Sequence, residues 1–305
     1  MSPQRTARSQ EVRNFLVTRR AKVTPEQTGL PQYGGTRRVP GLRREEVAML
    51  AGVSVDYYTR LEKGNIAGAS ENILDAICTA LQLDEAERVY LFDLARAANA
   101  ANPDTRRSRP VGRPVRLNVR AGVQQILDGM AQTPAFIRNG RLDIVATNVL
   151  GRALYAPIFD SPTRTSANAL PNLARFRFLD PAARDFYPDF NASAGSNVQL
   201  LRAEGARNPH DKGFTDLIGE LCTRSEDFRI RWASHDVRLH HNGIKLFHHP
   251  IVGELRLHFE AFDLPADPGL TLTALSAPAD SPAADGLKLL ASWALSQTDR
   301  STNVK

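Results

Sequence analysis

Apolar residues recur at helical spacing through the first hundred positions. Val12, Phe15 and Leu16 share one face of the stretch 10–22, and Leu42, Val47 and Leu50 come together within 42–51. Tyr58 and Leu61 point one way within 54–63, and Ile73, Leu74, Ile77 and Leu81 do so within 71–82. Asp84 with Glu87 three residues on is a capping-box start for a last helix reaching about Ala98. Between the first and second helices, 24–41 is rich in Gly and Pro, longer than a usual helix–helix connection, and carries Arg37 and Arg38.

The pattern breaks at 102–114, NPDTRRSRPVGRP, where prolines and arginines leave almost nothing to bury. Beyond it, 119–130 reads as a helix and 135–138 as a strand. Asn139-Gly140 reads as a hairpin turn, and 142–147 as a second strand. Helical and loop segments fill 149–235, among them 182–186, 198–204 and 214–222. Strands follow at 243–249, 254–262 and 270–277, then a helix at 283–295. This order predicts an all-α helix-turn-helix domain over 1–100, a basic Pro-rich linker over 101–114 and an α+β domain with one antiparallel sheet over 115–305.

Length supports the division, since single cores rarely grow past about 250–300 residues. No run approaches the roughly 18 apolar residues of a membrane helix, and the basic N-terminus has no apolar core of a secretory signal. Cys78 and Cys222, far apart and in no CxxC pair, fit free thiols in a reducing cytoplasm. The net charge of +6 is unevenly spread: +8 over 1–44, −6 over 45–100, +5 over 101–120 and −1 over the rest. Two basic blocks flanking a short helical region suit a partner made of phosphate; a double-stranded DNA operator becomes the expected partner only with the helix-turn-helix pattern of 43–64.

The segment RREEVAMLAGVSVDYYTRLEKG, 43–64, carries the most information. Two helices joined through Ala51-Gly52-Val53 form a helix-turn-helix pattern, with the glycine free to take positive φ and Ser54 an N-cap. With Tyr58 and Leu61 facing Val47 and Leu50, the outward residues are Val55, Asp56, Tyr57, Thr59 and Arg60, a set suited to reading base edges. Arg43 and Arg44 open the preceding helix, where the macrodipole disfavours cations. Either an external phosphate completes that end, approached also by Arg37 and Arg38, or these arginines pair with Glu45 and Glu46.

Val47, Ala48, Ala51, Gly52, Val53, Ser54, Leu61, Glu62 and Gly64 match the pattern of phage-repressor-like (XRE-type) helix-turn-helix proteins. More narrowly, PGLRREEVAMLAGVSVDYYTRLEKG resembles the MmyB-like transcriptional regulators. The resemblance implies that Ser54 touches phosphate and that Val55, Asp56, Thr59 and Arg60 stand at base-reading positions. It also implies that Glu62 is structural, paired with a first-helix arginine, Arg20. After Gly64 the small, uncharged NIAGAS departs from the basic or proline-bearing segment of many relatives.

TPAFIRNGRLDIVATN, NLARFRFLDPAARDFYPDF, WASHDV and HHPIVGELRLHFEAF resemble the PAS-like ligand-binding domain of the same regulators, so the likeness runs from about Gln10 to Ala291. It implies a fatty acid or similar apolar small molecule as effector, and no other cofactor. Such a ligand needs an apolar channel with a polar partner at its head. Phe136, Ala146, Asn148, Trp232 and Phe247 are candidate lining residues, with Arg138 or His249 for the head group. Of these, Asn148 has a second reading as a helix cap and Trp232 one as core. Tyr155, Phe176, Phe178, Phe186, Tyr187 and Phe259 add aromatic content.

His235, His240, His241, His248, His249 and His258 crowd one region, but no HExxH or finger spacing is present, and no metal site is expected. With no GxSxG, P-loop or GxGxxG, the expectation is a regulator rather than an enzyme. It would be a homodimer, since two-fold proteins read paired half-sites. A second domain that binds a protein partner is the alternative.

Overall fold

A computed structural model describes residues 3–30, 41–100, 119–164, 166, 169–208, 211–233 and 242–302. The linker, Arg37, Arg38, His235, His240 and His241 lie outside the described residues. By residue contacts the chain divides into two compact units.

The first unit is built on α1 (Pro3–Lys22), α2 (Arg44–Leu50), α3 (Val55–Glu62), α4 (Glu71–Ala80) and α5 (Glu85–Ala100), with one 3-10 turn at Glu26–Thr28. Its core gathers Val12, Phe15 and Leu16 of α1 with Val47, Tyr58, Leu61, Leu74, Ile77, Tyr90 and Leu91, as the helical periodicity requires. The starts of α3, α4 and α5 each have a chemical cause. Ser54 Oγ accepts from Tyr57 N–H at 3.1 Å, Ser70 Oγ from Ile73 N–H at 3.4 Å, and Asp84 and Glu87 exchange both bonds of a capping box. α1 begins seven residues before the expected start at residue 10, because PQRTARS has no large apolar residue and carries no periodic signal.

Two glycines are required by the backbone. Gly52, at φ 64°, makes the turn between α2 and α3. Gly64, at φ 94°, ends the motif so close to α1 that a Cβ would stand 2.2 Å from the Ser9 carbonyl oxygen.

The second unit holds a five-stranded antiparallel sheet in the order β2-β1-β5-β4-β3. The strands are β1 (Ala135–Asn139), β2 (Ile144–Thr147), β3 (Asn242–His249), β4 (Gly253–Asp263) and β5 (Leu270–Ser276). One face buries Phe136, Phe247, Leu255, Leu257 and Leu275 against a helical layer. That layer comprises α7 (Val149–Leu154), α8 (Ala156–Phe159), α9 (Leu173–Leu179), α10 (Ala182–Phe186), α11 (Phe190–Arg207) as far as Leu201, α12 (Lys212–Arg224), α13 (Glu226–Ala233) and α14 (Pro282–Thr302). On the other face Ala135, Ile137 and Leu270 pack with Leu127 of α6 (Ala121–Gly129).

The β1–β2 connection differs from a two-residue hairpin. Leu142 takes φ 64°, its N–H reaches Asn139 O at 3.1 Å, and Asn139 N–H reaches Asp143 O at 3.1 Å. The loop consumes residues up to 143, so β2 starts at Ile144 and the register shifts between Ile137 and Arg138. Cys78 and Cys222 are free thiols, and burial pushes Cys78 up to about 12, which leaves it protonated and unreactive at neutral pH.

Candidate functional sites

α3 has two sharply different sides. Tyr58, Leu61 and Glu62 are buried, whereas Ser54, Val55, Asp56 and Arg60 are exposed and Tyr57 and Thr59 half-buried. The Arg60 guanidinium lies 4.8 Å from the centre of the Tyr57 ring, a cation–π contact that steadies it on the outer surface. Ser54 Oγ accepts the Tyr57 N–H, so its own O–H is still able to donate. All six outward candidates therefore share one surface.

Glu62 organises the inner side. Its Oε2 accepts from Arg20 Nε at 2.8 Å, and its Oε1 from Arg20 Nη2 at 3.1 Å and Arg44 Nε at 2.9 Å. Arg20 Nη1 also donates to Leu42 O at 2.8 Å, fastening α1 to the entry of α2. Burial alone would raise the Glu62 carboxyl, but hydrogen bonds from Arg20 and Arg44 outweigh it and hold the group below the usual carboxylate range.

The Arg20–Glu62 pair agrees with the expectation. Arg44 pairs with Glu62 rather than with Glu45 or Glu46, its side chain staying half exposed, and Arg43 stands exposed beside it. Glu46 Oε2 instead accepts the Arg43 backbone N–H at 2.6 Å.

In the second unit the sheet face under the helical layer carries an aromatic cluster. The Tyr155 ring meets Phe136 edge-on at 4.9 Å and Phe247 at 5.7 Å, and Tyr187 lies 5.7 Å from Phe247. Arg138, on β1 opposite Thr271, shares the face of Phe136. Lys245, on β3 opposite Leu257, shares the face of Phe247, and its Nζ stands 4.6 Å over the Phe259 ring. From α9, the buried Arg177 lays its guanidinium 3.2 Å from the Tyr187 ring centre and donates to Ser193 Oγ. Burial pulls Lys245 down to about 7, helped by Arg138 and Arg177. Burial likewise draws Arg177 to about 10, still a cation at neutral pH.

Phe136, Phe247, Arg138 and His249 are thus brought to one face, and Ala146, Asn148 and Trp232 are not. Ala146 lies opposite Ile137 and packs on the α6 side of the sheet, so Ala146→Trp should crowd α6 and lower the melting temperature without reaching the face of Phe136 and Phe247. Thermal melts with and without a fatty acid check this. Asn148 caps α7 and is saturated by backbone partners at Ala135, Gly151, Met130 and Thr133. Trp232 stacks on Phe228 at 5.5 Å. His249 Nδ1 accepts the Ile251 N–H, and its Nε2, 3.1 Å from Ala153 O, is then the donor. Burial lowers its pKa, so it is a neutral structural histidine rather than a partner for a carboxylate.

Among the described residues no three His, Cys, Asp or Glu side chains are placed to hold a metal ion, and no helix is long and apolar enough to cross a membrane. The family model for the MmyB-like transcription regulator ligand binding domain matches residues 119–290, and one for a helix-turn-helix domain matches 7–91. The chain belongs to the MmyB-like transcription regulators. No curated protein sequence matches it. This MmyB-like regulator joins a DNA-binding helix-turn-helix domain to a ligand-binding domain, the composition of a ligand-responsive transcription regulator.

Sequence reasoning passed over Lys245 and Arg177 in this regulator. A signal was present for each. Lys245 is two residues from Phe247, in phase with it on a strand, and Arg177 lies four residues from Leu173 on the buried stripe of α9.

Proposed function

We propose that this regulator reads a two-fold DNA operator through α3 as a cytoplasmic homodimer, and that a fatty acid or similar apolar small molecule, held in a PAS-like second domain, alters that binding. The observation that carries the reading is the division of α3: Val55, Asp56 and Arg60 face outward while Tyr58, Leu61 and Glu62 anchor the helix. Strand order and the aromatic sheet face support the second half of the reading. Free energy of effector binding changes operator affinity only through a difference between two states of the protein.

The test is operator selection with the full-length protein, followed by binding titrations across salt. Affinity should fall with salt at a slope near −0.9 per phosphate neutralised, and Arg43→Ala should flatten that slope on every sequence alike. Arg60→Ala should leave thermal stability within about 0.5 kcal/mol while reducing discrimination at one operator position by about 1–3 kcal/mol. An Arg60→Ala variant that melts early but discriminates normally would reverse the assignment. A second reading, a protein partner for the second domain, is favoured by Ile244 and Leu246, which stand exposed on the terminal strand β3. Sedimentation of the free protein tests the homodimer.

A further inference from the structure

We infer that the open half of the sheet in the second domain is the surface on which two copies of this chain pair, face to face about a two-fold axis. The inference rests on the reading of the regulator as a homodimer, and it names the surface that holds the two copies together.

The two faces of the sheet are covered unequally. One lies under the helical layer. On the other, the apolar cluster under α6 takes in strand residues of β1, β2 and β5 only, and stops at Leu272 and Ala274. The register carries that same face on to β4 and β3, where Phe262 stands beside Leu272, Glu260 beside Ala274, Ile244 beside His258 and Leu246 beside Arg256. Along these two strands every residue on this side is exposed, nine in all. Ile244 is 44 % exposed, Leu246 36 % and Phe262 52 %. The solvated face of an antiparallel sheet is ordinarily polar. Three large apolar side chains among polar ones mark a contact surface instead.

The polar residues on this face decide the occupant. Arg256, His258 and Glu260 have no ion pair or side-chain hydrogen bond among the described residues. They follow one another on the same side of β4, with a cation two residues before His258 and an anion two residues after it. A two-fold axis lying across the strands at the level of His258 reverses one copy over the other. It sets Arg256 of each copy against Glu260 of the second copy, which makes two pairs of opposite charge. Because Ile244 lies level with His258, the same axis brings the two Ile244 side chains together, with a Leu246 on either side. Sheets packed face to face in this way keep their strands within about 30° of each other and interdigitate their side chains. Laid on itself with the strands parallel, the face would stack Arg256 on Arg256 and Glu260 on Glu260. The charge order is therefore complementary to itself in one orientation and repulsive in the other, the property a second copy requires of a surface.

Nine residues a side fall short of the roughly 20–30 of a standard interface, so the free dimer should dissociate in the micromolar range or above. The experiment is sedimentation of the full-length protein from about 1 to 100 µM, with melting temperature as the check on folding. Ile244→Glu, Arg256→Glu and Glu260→Arg replace exposed side chains, and each variant should melt with wild type. Each should weaken self-association by about tenfold or more, because each sets like charges against one another across the axis. An equal mixture of Arg256→Glu and Glu260→Arg should associate again, since each then offers the charges the other lacks. A wild-type dimer that none of the three variants weakens overturns this surface and leaves the homodimer reading standing. Loss of the dimer in Ile244→Glu, with neither charge variant having any effect, moves the contact to the β3 edge and overturns the face-to-face arrangement. A wild-type protein that is monomeric at every concentration overturns the surface and the homodimer reading together.

Discussion

Glu62→Ala should lower the melting temperature of the helix-turn-helix domain by about 12–24 °C, the equivalent of about 3 kcal/mol for a domain of this size. The carboxylate is 1 % exposed and is the shared acceptor of Arg20 and Arg44, so its removal leaves Arg20 with one partner, Leu42 O, in a largely enclosed position. The value sits at the low end for a broken buried pair because the Arg44 side chain is half exposed and water takes over its share. The folded-state pKa of Glu62 lies below its unfolded value, so its contribution is fully present above the ordinary carboxylate range and fades as pH falls through the lowered one. The gap between wild type and Glu62→Ala should therefore narrow on acidification. Melting curves of the two proteins at neutral and acid pH measure it, and variants that melt together at pH 7 would show that the hub holds nothing.

Much of this domain was legible because its determinants are local. The spacing of Val47, Tyr58 and Leu61, the positive φ demanded of Gly52 and the N-cap at Ser54 all act within a few residues of one another. Arg44 was not legible in the same way. Its neighbours in sequence, Glu45 and Glu46, offer the obvious ion pair, but its guanidinium turns to a carboxylate eighteen residues away that only the folded hairpin brings near.

In the second domain, strand positions followed from alternation and breaker residues, but alternation within a strand does not say which face of the sheet a residue takes. Register decides that. Ala146 stands opposite Ile137 rather than Phe136, and the pairing shifts just beyond, where Val145 is passed over before Ile144 meets Arg138. An apolar strand residue was therefore assigned to the wrong side of the sheet. The cations inside the domain escaped for a related reason: charged residues are expected outside. The phase of Lys245 with Phe247 argued otherwise and is visible in the sequence.

Asn148→Ala should destabilise the second domain by about 3–5 kcal/mol, because four buried bonds end on one side chain. Its Oδ1 accepts from Gly151 N–H at 2.7 Å, capping α7, and from Ala135 N–H at 3.1 Å at the start of β1. Its Nδ2 donates to Met130 O and Thr133 O, both at 2.8 Å, tying down the segment between α6 and β1. Alanine supplies none of these. Two N–H groups and two carbonyls lose a partner where Asn148 is 4 % exposed, and the α7 N-terminus loses a cap worth about 1 kcal/mol by itself. The sum is taken below four full penalties because bonds sharing one residue are not additive and water reaches the more open carbonyls. Both tryptophans of the chain, Trp232 and Trp293, lie in this domain, so the denaturant midpoint followed by tryptophan fluorescence reports on it alone. A midpoint unchanged from wild type, combined with altered fatty-acid affinity, would return Asn148 to the lining of a channel. A large loss of stability instead fixes it as the pin that holds α7, and with it Tyr155, over the sheet.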